Sequence, residues 1–196
     1  MYGAKRKTGS RCTGMKEEIL FIHSAGPQGY HEGSNYLVTY LQNNLEPAYE
    51  IVFPKMPDPE DPHYKPWKRM LNGVFDAVED GLILVGHSLG ASVLLKYLSE
   101  EKMERKIKGL FLIGAIHWGK EEWEVEEYML NKDFSARLHV IPNIFLYHSK
   151  DDEVVPITHL YYYAEKLPHA ITREFTNRGH LFGKGFPELV EDIKKL

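Results

Sequence analysis

The sequence predicts a three-layer α/β domain with a mostly parallel central sheet and helices on both faces. Short apolar runs alternate with amphipathic stretches from residue 17 onward. One of those runs, at 82–85, is unbroken, as expected for a strand covered on both faces, and glycine- or proline-bearing turns separate the segments. Taken in order, Ile19, Leu20, Phe21 and Ile22 read as the first strand, stopping at the turn signal of His23, Ser24, Ala25, Gly26 and Pro27. Tyr36, Leu37, Tyr40, Leu41 and Leu45 recur at helical spacing over 34–45, with Ser34 as the N-cap. Residues 50–53 are the second strand. Pro54, Pro57, Pro59, Pro62 and Pro66 exclude regular structure and mark a long surface loop. Trp67, Met70, Leu71, Val74, Phe75 and Val78 then form an amphipathic helix. Beyond 82–85 come a helix bearing Val93, Leu94, Tyr97 and Leu98, strands at 109–113 and 143–147, a helix at 158–167, a strand at 171–175, and a closing helix at 187–196 with proline at its start.

Composition narrows the functional classes. The 196 residues are 43% hydrophobic and 27% charged, enough for one sizeable core and too apolar for a disordered chain. A single cysteine cannot form an internal disulfide, so a secreted disulfide scaffold is excluded and a reducing, cytoplasmic setting is expected. No run approaches the roughly 18 apolar residues of a membrane span. A net charge of −4 gives no electrostatic case for nucleic acid. Lys5, Arg6, Lys7 and Arg11 make residues 1–14 a basic leader without an acid. It reads as a flexible extension or expression remnant, with a basic arm for an acidic partner or a weak transit peptide as alternatives, and Met15 is a candidate start. Residues 15–196 are expected to form the single domain.

Gly86, His87, Ser88, Leu89 and Gly90 follow the 82–85 strand at once and open a helix, the context a nucleophile elbow requires. The glycines let chain segments approach a sharp strand-to-helix turn. The turn lifts Ser88 Oγ above the sheet and leaves the Leu89 N–H at a helix N-terminus to meet a developing oxyanion. A serine hydroxyl needs a general base, and the base needs an orienting carboxylate, in the chain order serine, acid, histidine. Asp151, Asp152 and Glu153 follow the 143–147 strand, and His180 follows the 171–175 strand in a glycine-containing loop. Strand ends of this kind are where α/β sheets present functional groups.

With these residues the chain resembles the α/β-hydrolase superfamily, and more closely its small serine hydrolases of the YdeN and retinoblastoma-binding type. The resemblance spans about residues 17–195. It includes the His23–Gly26 turn, the Pro54–Pro59 segment with Met56, Trp67, the stretch 151–156, and Gly179 with His180. It implies an α/β-hydrolase-like three-layer sandwich with little or no cap domain. By the same resemblance Ser88 is the nucleophile, Asp152 the acid with Asp151 as fallback, and His180 the base. The second oxyanion donor is the N–H of Ala25, although Ser24 stands where the family commonly has glycine. His23 is expected to tie down its loop, and His87 and His148 to support the site rather than act as bases.

These assignments describe a serine hydrolase cleaving a carboxylic ester or related acyl bond of a small molecule, carboxylesterase-like, with no cofactor. No histidine pair or cysteine cluster has metal-ligand spacing. The alternative is a protein-interaction module on a hydrolase scaffold, although no Leu-x-Cys-x-Glu motif identifies a partner. Between residues 113 and 143, Trp118, Trp123, Val125, Tyr128 and Met129 stand among five glutamates. The expectation there is an amphipathic helix, either capping the site or lying over the sheet.

Overall fold

The computed structural model describes residues 16–119 and 123–196. The strands β1 (Glu17–Ile22), β2 (Tyr49–Val52), β3 (Leu82–His87), β4 (Ile107–Ile113), β5 (Ile144–Ser149) and β6 (Ile171–Phe175) form one sheet. Between and after them lie α1 (Asn35–Asn44), α2 (Tyr64–Ala77), α3 (Leu89–Glu100), α4 (Phe134–Leu138), α5 (Thr158–Lys166) and α6 (Pro187–Ile193). Every neighbouring pair is parallel in the order β2-β1-β3-β4-β5-β6, as helical crossovers require. The order reverses beside β1, so the carboxyl ends of β1 and β3 mark the switch point at which an α/β sheet ordinarily places its functional groups.

Strand side chains sort by alternation. Leu20, Ile22, Leu82, Leu84, Leu110, Leu112, Ile144 and Leu146 pack toward α2, α3, α4 and α5. Ile19, Phe21, Ile83, Val85, Phe111, Ile113, Phe145 and Tyr147 pack toward α1 and α6. The result is the expected three-layer sandwich. On the second face Phe111 and Phe145 stack with ring centroids 4.7 Å apart. Tyr147 donates to buried Asp192 of α6 at 2.9 Å, and Arg173 of β6 chelates the same carboxylate. Burial alone would raise the Asp192 carboxyl, but the Arg173 and Tyr147 bonds outweigh it and hold it below its ordinary value. That cluster fastens the last helix to the sheet.

Two stretches differ from expectation. Helix α2 begins at Tyr64, within the proline-rich segment, and takes Pro66 into its first turn. There proline is tolerated, because its missing N–H has no partner inside the helix anyway. Glu127 supplies the cap from afar, accepting the Tyr64 N–H at 2.9 Å and meeting His63 Nδ1 at 2.9 Å. Met56 is buried, and Trp67 Nε1 donates to the Pro57 carbonyl at 2.8 Å, so loop and tryptophan are one unit.

The expected amphipathic helix between β4 and β5 is also absent among the described residues. They hold a single 3-10 turn, Glu126–Tyr128, and the short α4. A helix would set Glu124 against Glu127 one turn apart, an unfavourable like-charge pair. The turn instead lets Glu127 reach α2 and lets the Tyr128 hydroxyl donate to the Pro62 carbonyl at 2.7 Å. The segment is thereby strapped to the proline loop. The basic leader, residues 1–14, lies outside the described residues.

Candidate active site

One residue, Ser88, separates β3 from α3, and it adopts φ 55° and ψ −119°. That region is uncommon for a residue with a side chain and costs on the order of 1–3 kcal/mol. The fold holds it there. Ser88 N–H donates to the Ile113 carbonyl at 2.8 Å, and its own carbonyl accepts the N–H groups of Ala91 and Ser92 at 3.1 and 3.2 Å. The flanking glycines are sterically required. A Cβ on Gly86 would lie 2.6 Å from Ala91 Cα, and one on Gly90 would lie 2.3 Å from the carbonyl oxygens of both Ile22 and His23. The elbow is pressed directly against the loop that follows β1.

Those two loops are neighbours because β1 pairs with β3, with Ile22 opposite Gly86. Leu89 is the first residue of α3, so its N–H has no acceptor within the helix. In the facing loop the Ser24 N–H is taken by Ser34 Oγ at 2.8 Å and the Gly26 N–H by the Pro59 carbonyl at 2.7 Å. The Ala25 N–H between them is left without a backbone or side-chain acceptor among the described residues. His23 is buried and stacks on Phe53 at 4.1 Å, while its Nδ1 has no partner among the described residues. It therefore holds its loop by packing and not by a hydrogen bond from that nitrogen.

His180, 6% exposed, donates from Nδ1 to Asp152 at 2.8 Å, with the second carboxylate oxygen at 3.0 Å. That bond fixes the tautomer and leaves Nε2 as the free basic nitrogen. Asp152 also accepts the Val154 and Val155 N–H groups at 2.9 and 2.8 Å, with His148 Nε2 at 3.3 Å. Burial alone would raise this carboxyl. The bonds from His148, His180 and the Val155 N–H outweigh it and hold the group well below the ordinary carboxylate range.

The neighbouring acids do something else. Asp151 accepts the Gly179 N–H at 3.0 Å and a bond from Ser149 Oγ, and Glu153 accepts the His180 N–H at 3.3 Å. Both carboxylates hold the main chain of the histidine loop, and neither meets its imidazole.

Gly114, just past β4, joins the two halves. Its φ is +56°, and a Cβ there would lie 3.5 Å from His180 Cε1 and 3.6 Å from Asp152 Oδ2. Ile113, the residue before it, is the one whose carbonyl holds the Ser88 N–H. The serine and the imidazole therefore share this seam, and Ser88 Oγ has no hydrogen-bond partner among the described residues. Sequence reasoning missed Gly114, whose only signal was a glycine directly after an apolar strand. It also missed Ser34, whose hydroxyl does not cap α1 but contacts His87 Nδ1 at 2.8 Å. A cavity of about 580 Å³ lined by Leu98, Met103, Arg137 and Ile141 has none of these site residues in its lining.

Two buried histidines make the site acid-sensitive. Burial lowers His23 to about 4, and burial with the neighbouring His180 lowers His87 to about 3. Unfolded, each imidazole takes up its proton near ~6.5. The unfolded state thus binds more protons between those values, so stability is full above about pH 6.5 and is lost as pH falls. In urea titrations from pH 7 to 4.5 we expect a loss of up to about 1.4 kcal/mol per pH unit per histidine. His23→Gln should remove one such share, and a slope unchanged in that variant would refute the assignment.

A parallel sheet with an elbow serine beside a carboxylate-bound histidine belongs to the α/β-hydrolase class of folds. Residues 29–193 match the family described as Serine hydrolase, and the chain belongs to that family. It is similar to the Putative hydrolase YdeN of Bacillus subtilis (strain 168), 23% identical over 180 residues covering 89% of this chain and 92% of that protein. It is also similar to Serine hydrolase RBBP9 of Rattus norvegicus, 24% identical over 162 residues covering 80% and 84% of the two chains. Among solved structures, the ydeN gene product of B. subtilis superposes with a TM-score of 0.74 at 18% identity, covering 92% of this chain and 98% of that one. Est1E of Butyrivibrio proteoclasticus, solved with ferulic acid bound, gives 0.69 at 15% identity, covering 92% and 88%. Both share the fold.

Proposed function

We propose that this serine hydrolase cleaves carboxylic esters or closely related acyl bonds through an acyl-enzyme. Ser88 Oγ attacks the carbonyl carbon while its proton passes to His180 Nε2. Asp152 holds the imidazole in the required tautomer and stabilises the imidazolium. The N–H groups of Leu89 and Ala25 bind the tetrahedral oxyanion. Collapse expels the alcohol, which takes the proton from His180. A water molecule then attacks the acyl carbon, giving its proton to His180, and Ser88 leaves with that proton as the acid departs.

The observation that carries this reading is the 2.8 Å bond from His180 Nδ1 to Asp152, which leaves Nε2 free on the seam shared with the strained Ser88. Two further features support it. The Ala25 N–H is unclaimed beside the elbow, and no residue of the described insert forms a long helix over the strand ends.

The test is intact-mass analysis after exposure to a fluorophosphonate, followed by p-nitrophenyl esters of graded chain length. One adduct on the wild-type protein, absent from Ser88→Ala, is the expected result. A wild-type protein that takes no adduct and turns over no ester would sink the proposal and favour an interaction module on this scaffold.

A further inference from the structure

A buried chain of hydrogen bonds crosses the site behind the reacting groups. His87, 0% exposed, points Nε2 at the main-chain carbonyl of His180 at 2.9 Å and Nδ1 at Ser34 Oγ at 2.8 Å. A carbonyl only accepts, so Nε2 must carry the proton and Nδ1 must accept. Ser34 then donates its single proton to His87, and its oxygen accepts the Ser24 N–H at 2.8 Å. The 3.0 Å contact between the two serine hydroxyls is completed by the Ser24 proton. All four residues are buried, and each lies on a different segment: the loop after β1, the head of α1, the elbow, and the loop after β6.

Two details argue that the chain positions catalytic groups and does not merely fill the core. Ser34 stands at the N-cap of α1 yet makes no cap bond, forgoing a contribution that caps ordinarily make to helix stability. Among the other anchors of the His180 loop, Asp151 and Glu153 are exposed carboxylates and the buried Ser149 Oγ accepts the Arg178 N–H at 3.0 Å, whereas His87 grips the main-chain carbonyl of His180 itself from the dry interior. Asp152 sets the rotation of the imidazole. The His87 bond holds the main chain of His180.

We propose that His87, oriented by Ser34, is a positioning residue that ties His180 to the Ser24–Ala25 loop, so that base and oxyanion donor keep one spacing. This rests on reading Ser88, Asp152 and His180 as the triad. Loss of the link should lower the rate of the chemical step and leave substrate binding almost unchanged, since misplacement of a base acts on the transition state.

The experiment compares wild type, Ser34→Ala, His87→Gln and the double variant by fluorophosphonate labelling rate, by kcat and KM on one p-nitrophenyl ester, and by thermal midpoint. Ser34→Ala is expected to lower labelling and kcat about tenfold with KM within about twofold, and the double variant to match His87→Gln. Wild-type labelling beside an equal rate in Ser34→Ala, with only the midpoint changed, overturns the positioning role alone. Single effects that multiply in the double variant overturn it too. A wild type that does not label overturns the hydrolase reading and this role together. Independently of any variant, two-bond proton–nitrogen spectra of the wild-type histidine rings should show His87 protonated at Nε2; the opposite tautomer overturns the chain.

Discussion

Asp152→Asn is expected to lower kcat on an activated ester by about 10⁴, and His180→Ala by about 10⁶, while Asp151→Asn stays within roughly tenfold of wild type. The ranking follows from which atoms touch. An asparagine in place of Asp152 would present an NH₂ or a neutral oxygen to His180 Nδ1, so the imidazole would lose the partner that keeps its proton on that side and frees Nε2. Asp152 also holds two main-chain N–H groups that an asparagine oxygen can still satisfy, so the turn should survive and the loss should be chemical. Asp151 reaches the Gly179 N–H from an exposed position, and its removal loosens a loop without touching the ring. The checks are kcat from initial rates and a circular-dichroism spectrum of each variant. Equal losses for Asp151→Asn and Asp152→Asn would contradict the assignment of the acid.

Gly90→Ala should be the most damaging single methyl among the described glycines, costing about 3 kcal/mol and most of the activity. A Cβ at 2.3 Å from the carbonyl oxygens of Ile22 and His23 meets backbone on both counts, so no side chain can rotate away to make room. Relief requires α3 to back off from β1, and that movement carries Leu89 away from Ala25. Gly73, where an added Cβ meets nothing within 4 Å, is the matched control in α2, and Gly73→Ala should be neutral or slightly stabilising. Urea unfolding of the two variants measures the contrast. A Gly90→Ala protein as stable as wild type would mean the elbow is not packed as described.

Much of this arrangement is legible in the amino-acid order alone. Alternation places every strand within two residues, and the pentapeptide at 86–90 locates the elbow, because a glycine requirement on each side of a serine leaves a sequence mark. The three-layer sandwich follows from unbroken apolar strands. What stays hidden depends on contacts remote in sequence. Ser34 looks like an ordinary helix cap, and only its approach to His87, 53 positions away, shows its hydroxyl engaged elsewhere. Asp151 and Asp152 are chemically identical neighbours, and the turn after β5 alone decides which carboxylate faces the imidazole. The start of α2 is obscured because proline reads as a breaker, although in a first turn it breaks nothing. The acidic segment before α4 has helical composition but fastens sideways to the proline loop through Glu127 and Tyr128.

The groups that meet at the strand ends come from β1, β3, β5 and β6, and His180 is among the last of them to be synthesised. While the protein is being made, Ser88 and its elbow emerge long before His180, the base of the proposed mechanism. On that mechanism, roughly the first half of the chain presents a hydroxyl of ordinary reactivity, and activation waits until β6 joins the sheet edge beside β5. The proposed mechanism therefore implies that the order of synthesis shields a growing polypeptide from its own chemistry. By the same proposal, translation ended ahead of residue 180 would leave a fragment that carries the elbow serine without its base.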